Sequence, residues 1–261
     1  MRTLGGTRPM VTLGDARPPE GMRLYAVGDI HGEQEQLLDI RERIARDLDA
    51  RPVADWREIY VGDYVDRGPE NAAVIETLAH APGAERRVCL LGNHDVFMRD
   101  FLAEGAPSVL WQWLTNGGTI TCANYGVDAI GETSAPRLHA QLSAAVPAAH
   151  RRFLDGLECQ ARFGDFGFVH AGIRPGVPWA AQDADDLIWI REAFLRHRGP
   201  HELVVVHGHT PSPRIEVREN RIGIDTGAGK GGVVSAMVIE DGTLAQLTPK
   251  GRVPLDGSRA A

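Results

Sequence analysis

Short β-branched runs alternate with amphipathic stretches through the first third of the chain. Residues 23–27 (RLYAV) read as a strand, and 33–48 as a helix with Leu37, Leu38, Ile44 and Leu48 broadly on one face. Strands follow at 57–61 and 87–91, with a helix at 71–79 between them. Helical patterns cover about 96–103 and 107–114, then 136–145 and 148–157, parted by Pro147. The second half turns to hairpins. Strands 159–163 and 166–169 flank Gly164-Asp165, and strands 215–218 and 221–224 flank Glu219-Asn220. Strands 233–239 and 243–247 flank Glu240-Asp241-Gly242, and a further strand is expected at 203–206. A βαβαβα opening followed by hairpins predicts an α/β (α+β) protein with mixed sheets and flanking helices. Residues 1–21 and 250–261 are non-periodic and are expected to fray, leaving one domain over 22–249.

Composition narrows the class. A chain of 261 residues, 43% apolar and 24% charged, suits one large soluble α/β domain. A net charge of −7 argues against a nucleic-acid partner, whose backbone requires a basic face. Cys89, Cys122 and Cys159 are odd in number and unclustered, so they indicate a reducing compartment and offer no thiolate metal site. Neither a signal-peptide core in residues 1–22 nor a run of about 20 apolar residues is present. The expectation is a cytoplasmic protein without a membrane partner, and nothing here fixes an oligomeric state.

The chemistry gathers behind the strands. Five loops that follow expected strands hold Asp29 and His31 (GDIHG), Asp63 (GDYVDRG), Asn93 (GNHD), His170 (HAG) and His209 (HGHT). In α/β proteins such loops form the ligand-binding edge. Taken singly, each is a turn or a satisfied polar residue; their joint occurrence calls for a common centre. Carboxylate, amide and imidazole donors suit Mn²⁺, Fe or Zn²⁺. Six donors exceed a four-coordinate site, whereas two metal ions sharing Asp63 use them all. Such a pair can hold a hydroxide for in-line attack on phosphorus. Two divalent ions less Asp29, Asp63 and the hydroxide leave one positive charge, to which Arg67 and Arg191 add two facing a phosphate. His94, beside Asn93, is suited to be the general acid, with Asp66 orienting its ring.

These segments resemble the calcineurin-like metallophosphoesterases, and within them the bacterial and phage branch of the phosphoprotein phosphatases. GDIHG, GDYVDRG, GNHD, HAG and GHT carry the likeness, joined by WLTNGG (113–118), WIRE (189–192) and IDTGA (224–228). The resemblance implies a two-sheet sandwich with helices outside and a dinuclear centre at its edge. It puts Asp29, His31 and Asp63 on one metal ion, and Asp63, Asn93, His170 and His209 on the other, usually Mn²⁺. It further implies phosphate binding by Arg67 and Arg191, an acid dyad of His94 and Asp66, and serine/threonine protein phosphatase activity on phosphorylated proteins or peptides, with small phosphomonoesters as further substrates. Two features depart from that branch. Asp95 stands where its members have Glu, and GNHD is the form seen in symmetric diadenosine tetraphosphate hydrolases, the alternative reading. VDRG and WIRE favour the phosphatase, because those hydrolases resemble VARG in the first segment. His207 is expected to pack behind the ligands, and loops 119–143 and 175–186 to set specificity.

Overall fold

The computed structural model describes residues 10–131 and 134–255. Its first sheet has the order β11-β10-β9-β1-β2-β3. It comprises β1 (Met22–Val27), β2 (Asp55–Tyr60), β3 (Arg87–Cys89), β9 (Ala236–Glu240), β10 (Thr243–Thr248) and β11 (Gly251–Pro254). The second sheet, β4-β5-β6-β8-β7, comprises β4 (Gln160–Phe163), β5 (Phe166–Val169), β6 (Val204–His207), β7 (Glu216–Val217) and β8 (Arg221–Gly223). β1, β2 and β3 pair in parallel, as do β5, β6 and β8, while the remaining pairings are antiparallel. Both sheets are therefore mixed, as the pattern of helices and hairpins implies.

Alternation along the strands assembles the layers. Side chains on a strand point to opposite faces in turn. Leu24 and Ala26 of β1 join Ile59, Phe166, Phe168, Val204, Val206 and Met237 in a core between the sheets. Tyr25 and Val27 face the other way, into the core beneath the helices. On the far side of the second sheet, Val205 and Val169 meet Leu187, Ile190 and Phe194. The result is a helix–sheet–sheet–helix sandwich.

The expected helices are present with instructive shifts, and three short ones that the pattern did not indicate appear among the described residues. α1 (Gln34–Ala50) buries Leu37, Ile40 and Ile44, whereas Leu38, expected inside, is 49% exposed. Ile40 fits the 3.6-residue repeat and Leu38 does not. α2 (Asn71–His80) follows β2, and α3 (Asn93–Glu104) begins at Asn93 rather than near 96, so GNHD forms its first turn. α4 (Pro107–Trp113), α5 (Thr119–Asn124), α6 (Ala135–Ala145) and α7 (Ala148–Asp155) complete this layer; α5 and the start of α6 occupy part of the expected 119–143 loop. α8 (Ala184–Trp189) and α9 (Glu192–Leu195) cover the second sheet. Among the described residues, no helix is long and apolar enough to cross a membrane.

Both ends hold more structure than their composition suggests. Residues 1–9 and 256–261 lie outside the described residues, but 10–21 do not fray: Val11 bridges His201, the Leu13 N–H donates to Glu219 O, and Ala16 is buried. At the other end β11 extends the first sheet, and Arg252 grips Asp47 of α1 through two hydrogen bonds of 2.8 and 2.7 Å. Edge pairing and long-range ion pairs leave no periodic trace in the sequence, which explains the miss.

Asp47 is the hub of that clasp. It accepts hydrogen bonds from Arg252, from Tyr25 Oη at 2.6 Å and from buried Arg23, which also binds Glu240. Burial alone would raise its carboxyl, but hydrogen bonds from Arg252 and Tyr25 outweigh that and hold it below the usual range. Its contribution to stability is therefore present above the ordinary carboxylate value near 3.8 and lost as pH falls through the depressed one. Asp47→Asn should cost about 3 kcal/mol in urea unfolding at neutral pH, because it leaves the Arg23 and Arg252 guanidinium groups sharing the single carboxylate of Glu240. The variant should also lose less further stability on acidification than the natural chain; parallel acid limbs would refute the role of Asp47.

Candidate metal and phosphate site

Loops leaving the carboxyl ends of the parallel strands meet at one edge of the sandwich. Ile30 and His31 N–H groups both donate to Asp63 O, Gly32 N–H donates to Tyr64 O, and Gly208 N–H donates to His170 O. Asp95 braces the same region from α3: its carboxylate accepts N–H bonds from Gly92 at 2.9 Å, Asp63 at 2.8 Å and Tyr64 at 2.9 Å. That gives a function to the residue that departs from the phosphatase pattern. The fit is tight enough that a Cβ on Gly208 would collide with Asp29 Oδ1. Backbone strain concentrates here as well. Of six non-glycine residues with positive φ among the described residues, five are His31, Asp63, Asp66, Arg67 and His209. Such conformations persist only where surrounding contacts hold them.

Asp63 stands at the centre, buried, with its two oxygens facing different imidazoles. Oδ2 lies 3.4 Å from His31 Nε2, and Oδ1 lies 3.5 Å from His170 Nε2. On the second side His170 Nε2 approaches Asn93 Oδ1 at 3.0 Å and His209 Nδ1 at 3.2 Å, while His209 Nδ1 lies 2.8 Å from Asn93 Oδ1. His170 Nδ1 donates to Val61 O, and His31 Nδ1 donates to Val65 O. Each Nε2 thus keeps its lone pair aimed inward. Lone pairs of Asn93, His170 and Asp63 converging at such distances repel unless a cation lies among them, and a metal-ligating histidine ordinarily fixes its other nitrogen this way. The donor chemistry fits a divalent ion. Two groups of donors close enough to hold one are His31, Asp63 and His94, and Asp63, His170 and His209.

Asp29 belongs to neither group. Its carboxylate accepts the His209 N–H at 3.1 Å. Burial, with Asp225 and Asp63 nearby, pushes its carboxyl well above the usual range. Burial also lowers the imidazoles, His31 to about 3 and His209 to about 2, so they are neutral and able to bind metal. Asp63 is the exception among the carboxylates: the imidazoles of His170, His94, His31 and His209 outweigh burial and hold it below the usual range. His207 packs edge-on against Phe194 at 5.1 Å and bonds Gly208 O, behind the cluster as expected.

His94 Nδ1 donates to Asp66 Oδ2 at 2.6 Å. Asp66 is itself fixed by Trp113 Nε1 at 2.9 Å and Thr121 Oγ1 at 2.6 Å. Those two partners were not legible as site residues, although Trp113 opens the WLTNGG segment. Arg67 spans the cluster, its guanidinium contacting His31 Nε2 and reaching His94 Nε2 at 2.7 Å. Arg191 stands across a cleft of about 360 Å³ that also admits Phe97, Trp189, Asn116, Asp225 and Lys230. Asp225 falls in IDTGA and Lys230 just beyond it; glycines at 227, 229 and 231 turn the loop so that the lysine reaches the cleft. Among the described residues, none of 119–143 and none of 175–186 lines the cleft.

Residues 22–229 match the family described as calcineurin-like phosphoesterase. A symmetrical bis(5'-nucleosyl)-tetraphosphatase of Nitrosomonas europaea is 30% identical over 178 residues, covering 67% of this chain and about half (53%) of that protein. One of the same name from Methylobacillus flagellatus is 26% identical over 293 residues, covering 92% of this chain and 99% of its own. A cold-active protein-tyrosine phosphatase of a psychrophilic Shewanella superposes with a TM-score of 0.60 at 15% identity, covering 92% of this chain and 83% of that one. At that identity it speaks for the fold.

Calorimetric titration of chelator-treated protein with Mn²⁺ should show two ions per chain. Asp63→Asn should abolish uptake of both, because one carboxylate faces both donor groups, whereas His31→Ala should remove one. A folded chain that takes up no ion would end the metal assignment.

Proposed function

Because the chain belongs to the calcineurin-like phosphoesterases, we propose that it is a metal-dependent hydrolase that splits dinucleoside tetraphosphates symmetrically into two nucleoside diphosphates. Its motifs favoured a serine/threonine phosphatase; the relatives named as symmetrical tetraphosphatases, one of them matched over nearly the whole of both chains, support the alternative. The observation in the cleft that carries this reading is Lys230. A monoester dianion is answered by Arg67 and Arg191, whereas a tetraphosphate carries charge beyond the reacting phosphate and needs a further cation along the same wall. Lys230 supplies it, close enough that the Arg67 guanidinium depresses its ammonium.

In this reading Asp29, which stands outside the two donor groups in this structure, would join His31 and Asp63 on one divalent ion, and Asp63, Asn93, His170 and His209 would hold the other. Mn²⁺ is expected, and Fe or Zn²⁺ suits the same donors. When bound, the pair supplies Lewis acidity and a nucleophile at neutral pH. Arg67 and Arg191 present planar forks to the phosphate oxygens and fix its orientation. Asp66 fixes the His94 ring through Nδ1, and Nε2, which the Arg67 guanidinium reaches in this structure, is the nitrogen that would carry the transferable proton once Arg67 turns to phosphate.

That dyad is also the specific observation favouring the second reading, a phosphoprotein phosphatase. A serine alkoxide is a strongly basic leaving group and needs a proton, whereas a nucleoside diphosphate leaves readily without one. The two readings separate on a panel of phosphoserine, phosphothreonine and phosphotyrosine peptides beside diadenosine tetraphosphate, with Mn²⁺ present. The dinucleotide should be cleaved fastest with ADP as the sole nucleotide product; AMP with ATP would move the cleavage point, and faster peptide turnover would give the second reading precedence. His94→Asn should lower kcat about 10²–10⁴-fold on peptide monoesters and markedly less on the dinucleotide, with metal content unchanged. Lys230→Met should raise KM for the tetraphosphate relative to p-nitrophenyl phosphate by about ten-fold. An unaltered ratio would remove Lys230 from the substrate path.

A further inference from the structure

The cleft exposes one indole whose placement no metal or phosphate chemistry uses. Trp189 ends α8 with its neighbours Leu187, Ile188 and Ile190 buried, yet it is itself 38% exposed. The helix is anchored: the Ala171 N–H donates to Leu187 O, tying α8 to the loop that carries His170, and the Asp183 side chain caps its first turn at Asp185 N–H. Trp189 therefore stands on a fixed support, two residues from Arg191, and both line the cleft.

Phe97 backs it. One turn along α3 from His94, Phe97 meets the indole edge-on at 5.3 Å and the His94 ring at 6.1 Å. The three rings form a row from the candidate acid outward, with Phe97 buried and Trp189 open to the cleft. A group esterified directly to the reacting phosphate would lie at the inner end of this row. A planar group joined to that phosphate through a sugar would extend outward along it.

We propose that Trp189, held by Phe97, is the platform on which a nucleobase of the substrate stacks. Base–aromatic stacking tolerates any base, because every base has a π-face. The proposal rests on the dinucleotide reading of the same cleft and adds to it a residue that separates nucleotides from bare phosphate esters. Arg191 then spaces the platform from the metal centre, holding phosphate while Trp189 holds the base.

The test compares Trp189→Ala and Trp189→Phe with the natural chain, all loaded with Mn²⁺. Calorimetry measures binding of AMP and of ribose 5-phosphate, which differ by the base, and kinetics give KM for diadenosine tetraphosphate and for a phosphotyrosine peptide. In Trp189→Ala the AMP to ribose 5-phosphate affinity ratio should fall about ten-fold, with a matching rise in KM for the dinucleotide, and Trp189→Phe should restore most of both. A ratio that does not change overturns the platform, as does a loss confined to the phosphotyrosine peptide. If the natural chain leaves the dinucleotide intact while its AMP preference still depends on Trp189, the platform stands and the tetraphosphatase reading falls.

Discussion

A single buried carboxylate organises this protein's working edge. Asp63 turns one oxygen towards His31 and the other towards His170, so the two donor groups are joined through one side chain rather than merely adjacent. The imidazoles of His170 and His209 and the Asn93 amide oxygen then crowd within 3.2 Å of one another. Burying carboxylates such as Asp29, Asp63 and Asp225 side by side is unfavourable unless positive charge offsets their repulsion. The strain at His31, Asp63, Asp66, Arg67 and His209 belongs to the same constraint. Side chains from separate strands reach a common point only if the loops bend sharply, and backbone-to-backbone bonds between those loops hold the bends.

Around that centre the protein invests in support. Asp95 collects three backbone N–H groups and so ties the β2 loop to the start of α3. Trp113 and Thr121, from α4 and α5, pin Asp66, which in turn orients His94. The helical layer is thus coupled to the site through two carboxylates that never face the cleft. Such coupling fixes reactive groups to fractions of an ångström, a precision that loops alone do not provide.

Charge is distributed against the overall balance. The chain carries −7, yet Arg67, Arg191 and Lys230 face one cleft. The acidic remainder is spent elsewhere, including the Asp47 and Glu240 clasp that fastens β11 and Arg23. An acidic protein can in this way act on anionic phosphate compounds while repelling polyanions from the rest of its surface.

Much of this was legible in the chain. Strand-then-loop punctuation marks five loops, and their donor types point to paired metal ions without reference to any contact. Hydrophobic alternation gave the mixed sheets and most helix boundaries. Other features were hidden because they arise from distance. Leu38 looked apolar enough for the core, yet the helix repeat turned it outward; Arg252 and residues 10–21 are held by partners remote in sequence. Lys230 and Trp189 belong to local patterns with no periodic signal and acquire meaning only by sharing a cleft. Sequence by itself determined which chemical groups the protein possesses and the order in which strands deliver them. Tertiary structure decided which of those groups share a volume, since the folding of two sheets face to face, rather than any local rule, sets distances between loops separated by up to 180 residues.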